Sequence, residues 1–136
     1  MAYTKIILPC RINSGILALG AQSKSSFCFA KGNTAYLSES GGDLSDLENF
    51  KKFERDIKGL QKKLKIKPGI IACDLHPEHV STEYAYDLVE GAPRLRSGRK
   101  GWRVEGVQHH KAHIASCMAD NGIRGNVIGV AFDGTG

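Results

Sequence analysis

The 136-residue chain predicts an α/β layer fold with a mixed sheet, and three observations carry that expectation. Short apolar runs separated by turn residues crowd the region 16–38, the pattern of an antiparallel meander. From residue 45 onward, segments with helical spacing alternate with short apolar runs, as crossover connections do. Two of those runs, "GIIACD" (69–74) and "NVIGVAF" (126–132), are almost wholly apolar, as strands buried on both faces tend to be. The expected order is βββ-α-β-α-β-α-β.

Each element has its own reason. Residues 1–15 read as an N-terminal tail or linker, punctuated by Pro9, Ser14 and Gly15. "ILALG" (16–20) opens the sheet and "AQSKS" turns. "SFCFAK" (26–31) alternates, "KGNT" (31–34) signals a second turn, and "TAYLS" (34–38) gives a third strand. Ser45 and Glu48 match a capping box at a helix start. Behind them Leu47, Phe50, Phe53, Ile57, Leu60 and Leu64 recur at steps of three and four, forming one apolar face. The buried strand 69–74 follows Pro68. "STEYAYDLVEG" predicts a helix capped by Ser81, with Tyr84, Ala85 and Leu88 inward and Gly91 as the stop. A basic loop then leads to a short strand near 104–108, a helix at about 110–121 and the last strand.

This order matches one lobe of the ribonuclease H-like type, the unit duplicated in the actin-like ATPases and sugar kinases. The ending, "GVAFDGTG", repeats the strand, glycine and turn of "ILALGAQSK". Residues 16–126 are therefore expected to form a first lobe, and 127–136 the first strand and phosphate-type turn of a truncated second lobe. A strand without its neighbour cannot complete a ladder.

Composition narrows the function. The apolar share of 41% and charged share of 24% suit a soluble globular domain. No apolar run approaches the roughly 18 residues that cross a bilayer, and "MAYTKIILPC" is too short for a signal peptide, so a membrane role is not expected and a cytoplasmic one is. Cys10, Cys28, Cys73 and Cys117 form no CxxC pair, which argues against a disulfide framework or zinc ribbon. Cys28 and Cys73 sit in apolar runs, where a thiol packs as a small hydrophobe. The net charge of +5 is concentrated in "RLRSGRKGWR" (94–103). Such a stretch can bind phosphates or nucleic acid. A solvated loop is the plainer reading, and nucleic acid is not the expected partner.

The chemistry concentrates near the C-terminus. His109 and His113 are spaced i, i+4, which puts both imidazoles on one face of a helix and lets them share a metal ion. His110, at i, i+3 from His113, competes for that role. Asp133 follows an apolar strand, at the place where open α/β sheets hold their ligands. Two imidazoles and a carboxylate leave coordination positions open and suit Fe(II), Zn(II) or Mn(II). Cys117, one turn beyond His113, reads as a buried thiol. His76 and His79 in "DLHPEHV" read as a loop cap and a surface residue. "DGTG" (133–136) brings backbone N–H groups within reach of phosphate oxygens, with Thr135 as a hydroxyl donor. "GAQSKS" (20–25) offers Gly20 and the Lys24 ammonium as a second phosphate cradle. An ordinary turn with a solvated lysine fits those residues too.

Taken together, "VQHHKAHIASCMADNG" followed by "VIGVAFDGTG" resembles the motif block of the HypF family, the carbamoyltransferases of nickel–iron hydrogenase maturation. "ALGAQSKSSFCFAKGNTAYLS" and "IIACDLHPEHVSTEYA" resemble that family's preceding blocks, in the same order. The resemblance spans residues 16–136. It implies a two-lobed actin-like transfer domain that uses ATP and carbamoyl phosphate through carbamoyl-adenylate. The carbamoyl group would pass to the C-terminal cysteine of a HypE-like acceptor. Iron or zinc would be held by His109, His113 and Asp133. Lys24 would approach the nucleotide phosphates, and Gly20, Gly134 and Thr135 would line the pocket.

Two departures stand out: Lys111 occupies the place of a third histidine, and Gln22-Ser23 that of a Glu-Leu pair. Lys111 points away from the face shared by His109 and His113. The resemblance further implies that this is the front half of a transferase domain, with the adenylate-forming domains outside it and an open lobe face suited to self-association. Two alternatives belong to other classes. One is a non-catalytic, metal-binding remnant; the other is a tRNA-linked carbamoyl or threonylcarbamoyl transfer module.

Overall fold

A computed structural model of the chain describes residues 1–92 and 101–133. Most of the basic segment, 94–100, lies outside the described residues, as do Gly134 and Thr135. The elements run β1 (Tyr3–Leu19), β2 (Phe27–Ser38), α1 (Leu47–Leu64), β3 (Pro68–Asp74), α2 (Val80–Glu90), β4 (Arg103–Val107) and α3 (His109–Asp120). The strands form one sheet in the order β2-β1-β3-β4. β1 pairs antiparallel with β2, while β3 lies parallel to both β1 and β4. The mixed α/β layer expected from the sequence is present; the inventory of strands differs.

The expected tail is strand. Residues 3–7 pair with 34–38, so β1 starts at Tyr3. Pro9, Ser14 and Gly15 fall at register shifts inside β1, between Ile7 and Ile12 and between Ile12 and Ile16. Proline has no N–H to give a ladder and is tolerated at such irregularities. Gly15 is required for a different reason. A Cβ there would stand 2.6 Å from the Lys67 carbonyl oxygen on the chain leading into β3.

The expected meander is a two-stranded hairpin. "KGNT" does not turn: Gly32, at φ 63°, absorbs a kink within one continuous β2. With residues 3–7 available as a partner for 34–38, the chain has no need to fold back there.

One face of the sheet carries the core. Leu17 and Leu19 of β1, Phe27 and Phe29 of β2, and Ile71 and Cys73 of β3 alternate inward. Phe53, Ile57 and Leu60 of α1 and Tyr84 and Ala85 of α2 cover them. Four edge-to-face contacts link Phe29, Phe27, Phe53, Tyr84 and Phe50 in one chain, with centroids 5.5 to 6.2 Å apart. The Tyr84 hydroxyl sits at the end of that burial and is pushed up to about 12, first by desolvation and then by the charge of Glu54. Leu47, expected on the apolar face of α1, is 62% exposed because it begins the helix beyond the edge of the core.

Both expected caps moved. α1 is capped by Asp46, whose Oδ1 accepts from the N–H groups of Glu48 and Asn49 at 3.0 Å each. Ser45 is held instead by Asp43, through its N–H at 2.8 Å and its hydroxyl at 2.7 Å. α2 begins after His79, which takes the cap position, while Ser81 is fully buried within the first turn. Gly91 does end α2. The last expected strand is absent: 126–132 adopts no strand pairing among the described residues. It runs extended along α3, with Gly129 against Ile114. Ile128, Val130 and Phe132 project into solvent. With no neighbour to take its backbone bonds, apolar composition alone does not make a strand.

The cap assignment is testable. Asp46→Ala should lower unfolding free energy by about 1 kcal/mol, and Ser45→Ala should stay within about 0.5 kcal/mol of wild type. Urea denaturation measures both, and the reverse ranking would return the cap to Ser45.

Candidate metal centre

The site is built where β4 hands over to α3. β4 ends at Val107, and the single residue Gln108 caps the helix, its Oε1 accepting from the Lys111 N–H at 2.9 Å. His109 is therefore the first residue of α3, and His113 lies one turn on, over the same face. Their Nε2 atoms are 3.1 Å apart. Asp133 Oδ2 lies 2.9 Å from His109 Nε2 and 3.6 Å from His113 Nε2. One ligand atom from each residue falls within 4.8 Å of the others.

These separations fit a shared cation. Bonds of about 2.0–2.2 Å at tetrahedral or octahedral angles keep neighbouring donors about 2.8–3.6 Å apart. All three residues are partly exposed, so the far side of such an ion would be open to further oxygens. Asp133 reaches this point from an extended segment lying along α3, and not from the end of a strand.

A fourth residue joins the cluster that was not anticipated. Asp74 closes β3, and its Oδ2 lies 3.1 Å from His109 Nδ1, while its Oδ1 accepts from the His76 N–H at 3.0 Å. The sequence did carry a signal. "IIACD" ends an apolar parallel strand in acid, the same criterion that singled out Asp133. Burial by itself pushes the Asp74 carboxyl up. The bonds from the His76 N–H and from His109, with the charges of His109 and His79, outweigh it and hold the group below the ordinary range. His109 moves the other way. The bond to Asp74 raises it most, desolvation opposes, and the Asp74 charge and Asp133 add to the rise.

The other expected residues distribute unevenly. His110, the competitor for His113, turns away: its Nε2 is buried without a hydrogen-bond partner, in a groove shared with Ile114 and Val127. Gly20 lines a cavity of about 380 Å³ together with Asp74, His109 and His113. The floor of that cavity is the open face of the sheet, through Ala18, Cys28 and Ala72. Lys24 is exposed and does not line it. Cys117 is exposed, not buried, because α3 presents that face to solvent. His76 and His79 stack, with ring centroids 4.3 Å apart. His79, expected at the surface, is the partly buried cap residue, and His76 is the exposed one.

With this geometry in place, likeness to known proteins becomes informative. The model of the HypF Kae1-like domain matches residues 11–120. The chain belongs to the HypF Kae1-like domain family. Carbamoyltransferase HypF2 of Cupriavidus necator is 35% identical over 126 residues, covering 93% of this chain and 15% of its own length. Carbamoyltransferase HypF of Synechocystis is 36% identical over 132 residues, covering 96% and 16%. The crystal structure of full-length HypF in the phosphate- and nucleotide-bound form matches with a TM-score of 0.81 and 35% identity, over 96% of this chain and 19% of that one. T. kodakarensis HypF matches at 0.74 and 30%, over 88% and 14%. The chain thus spans less than a fifth of each of these proteins. Its mixed sheet is that of the actin-like, ribonuclease H-like lobe expected from the sequence. No helix among the described residues is long and apolar enough to cross a membrane.

The electrostatics of the HypF-family site give a pH prediction with a definite sign. Folding raises the affinity of His109 for a proton above its ordinary value of 6.5. The resulting stabilisation is complete below that value and is lost as pH rises through the elevated folded one. In the metal-free chain, the His109 ring protons should therefore titrate by NMR with a midpoint above 6.5. A midpoint at or below it would mean that the flanking carboxylates do not engage the ring.

Proposed function

We propose that this chain supplies the metal-binding half of a carbamoyl-transfer site, acting in hydrogenase maturation as its HypF-family relatives suggest. The observation that carries the reading is the convergence of His109 Nε2, His113 Nε2 and Asp133 Oδ2, within a chain most of which matches the HypF Kae1-like domain. The ion is Fe(II) or Zn(II), which this donor set suits. The substrate class is an acyl-adenylate, carbamoyl-adenylate in particular, made from ATP and carbamoyl phosphate. The acceptor is the terminal cysteine thiolate of a HypE-like protein.

In the reaction, the acceptor sulfur bonds to the carbamoyl carbon while the C–O bond to the nucleotide phosphate breaks. Negative charge then collects on the phosphate oxygens. His109, His113 and Asp133 are the residues that would hold the ion, which would supply positive charge to offset that build-up. Gly20 leaves room for the nucleotide at the cavity wall, and Lys24, Gly134 and Thr135 are its proposed phosphate contacts. The protonated thiol is a weak nucleophile, so the acceptor must arrive as thiolate. Exposed Ile128, Val130 and Phe132 offer apolar surface that supports association.

Two measurements test this. Equilibrium dialysis should find one Zn(II) or Fe(II) bound per chain, and the double variant His109→Ala/His113→Ala should lose it. Unchanged metal content in the double variant would refute the ligand assignment. A non-hydrolysable carbamoyl-adenylate analogue should bind the metal-loaded chain at least tenfold (~1.4 kcal/mol) more tightly than the metal-free one. Equal affinities would separate the ion from phosphate recognition.

A further inference from the structure

We propose that Asp74 is the positioning residue of the metal centre: it fixes the ring of His109 so that Nε2 faces the ion. This rests on the metal reading above and assigns a function to a residue outside the donor set. The geometry divides the carboxylate cleanly. Oδ1 is occupied by the His76 N–H at 3.0 Å, closing a turn after β3. Oδ2 is then free to take the Nδ1–H of His109 at 3.1 Å. A hydrogen on Nδ1 leaves the Nε2 lone pair for the cation, and Nε2 is the atom 2.9 Å from Asp133.

Asp74 is itself well anchored. Its backbone carbonyl accepts from the Thr82 hydroxyl at 3.1 Å, and it pairs with Val107 at the end of the parallel ladder. Its side chain is 13% exposed against 41% for His109. The imidazole is thus the looser partner and the carboxylate the fixed one, which is the arrangement an orienting group needs. Outer partners of this kind typically change metal affinity by about 10–100-fold.

The test uses the full chain loaded with Co(II), which reports binding by its visible spectrum. Asp74→Ala should raise the Co(II) dissociation constant about 10–100-fold. It should also remove the exchangeable ring N–H resonance of His109, because that proton then trades with water. Asp74→Asn keeps the shape of the side chain but replaces one of its two acceptor oxygens with an NH2 donor, so it cannot accept from both N–H groups. It should stay folded yet still weaken Co(II) binding and lose the resonance. It carries the test if the alanine variant loses its far-ultraviolet circular dichroism. An affinity within twofold of wild type, with the N–H resonance retained in Asp74→Ala, overturns the proposal while leaving the metal reading intact. A loss as complete as that of His113→Ala would make Asp74 a ligand and overturn it too. A wild-type chain that binds no Co(II) would overturn the metal reading itself, and this inference with it.

Discussion

The register between β3 and β4 is the constraint on which the site depends. Ile70 pairs with Arg103 and Asp74 with Val107, in unbroken parallel steps. The Leu75 N–H, bonded to the Val107 carbonyl at 3.3 Å, extends the ladder one step further. Because only Gln108 separates Val107 from α3, this register decides which residue of β3 stands beside His109. A slip of one residue would turn every side chain of β4 to the opposite face and carry the helix start away from Asp74. A Cβ at Gly106 would meet only the far end of the exposed Leu75 side chain, which can move aside. Hydrogen bonds of the β3–β4 ladder therefore do the placing, and polar side chains only finish it.

The site also joins two layers of different character. Below the sheet, Leu17, Phe29, Ile71 and their helical cover are dry and closely packed. Above it, the open face carries small or slender side chains, Ala18, Cys28 and Ala72, which leave a cavity where larger ones would fill it. Desolvation raises the Cys28 and Cys73 thiols, so both remain protonated packing residues. Asp74, His109 and His113 line that cavity at the carboxyl ends of β3 and β4. Open α/β sheets offer that edge because the connections diverge there.

Much of this was legible in the sequence, for physical reasons that differ by element. The face of α1 and the strand 69–74 are periodic or wholly apolar over a full element, so local pattern suffices. The pair His109 and His113 was legible because helical spacing is a local property. What failed depended on partners far away in sequence. Residues 3–7 are strand only because 34–38 receives them, and 126–132 is not strand because no described residues do. The caps failed on competition: "GGDLSDLE" offers Asp43, Ser45 and Asp46 within four positions. A carboxylate reaching two backbone N–H groups outranked the hydroxyl there. Asp74 was hidden because its role needs both the β3–β4 register and the start of α3.

α3 shows how a helix can be positioned without being buried. It has no fully buried residue, so hydrophobic burial contributes little to its placement, and local opening of such an element is ordinarily cheap. What ties it down is polar: the Gln108 cap at its first turn, the Asp74 carboxylate on His109, and Asp133 against both imidazoles. Each of these acts at the N-terminal end, the end that carries the two ring nitrogens. The positive end of the helix dipole lies there too and favours the carboxylates while opposing a cation. The two carboxylates that flank His109, Asp74 and Asp133, offset that opposition. The polar contacts that hold the helix at one end are therefore the same ones that bring His109, His113 and Asp133 together.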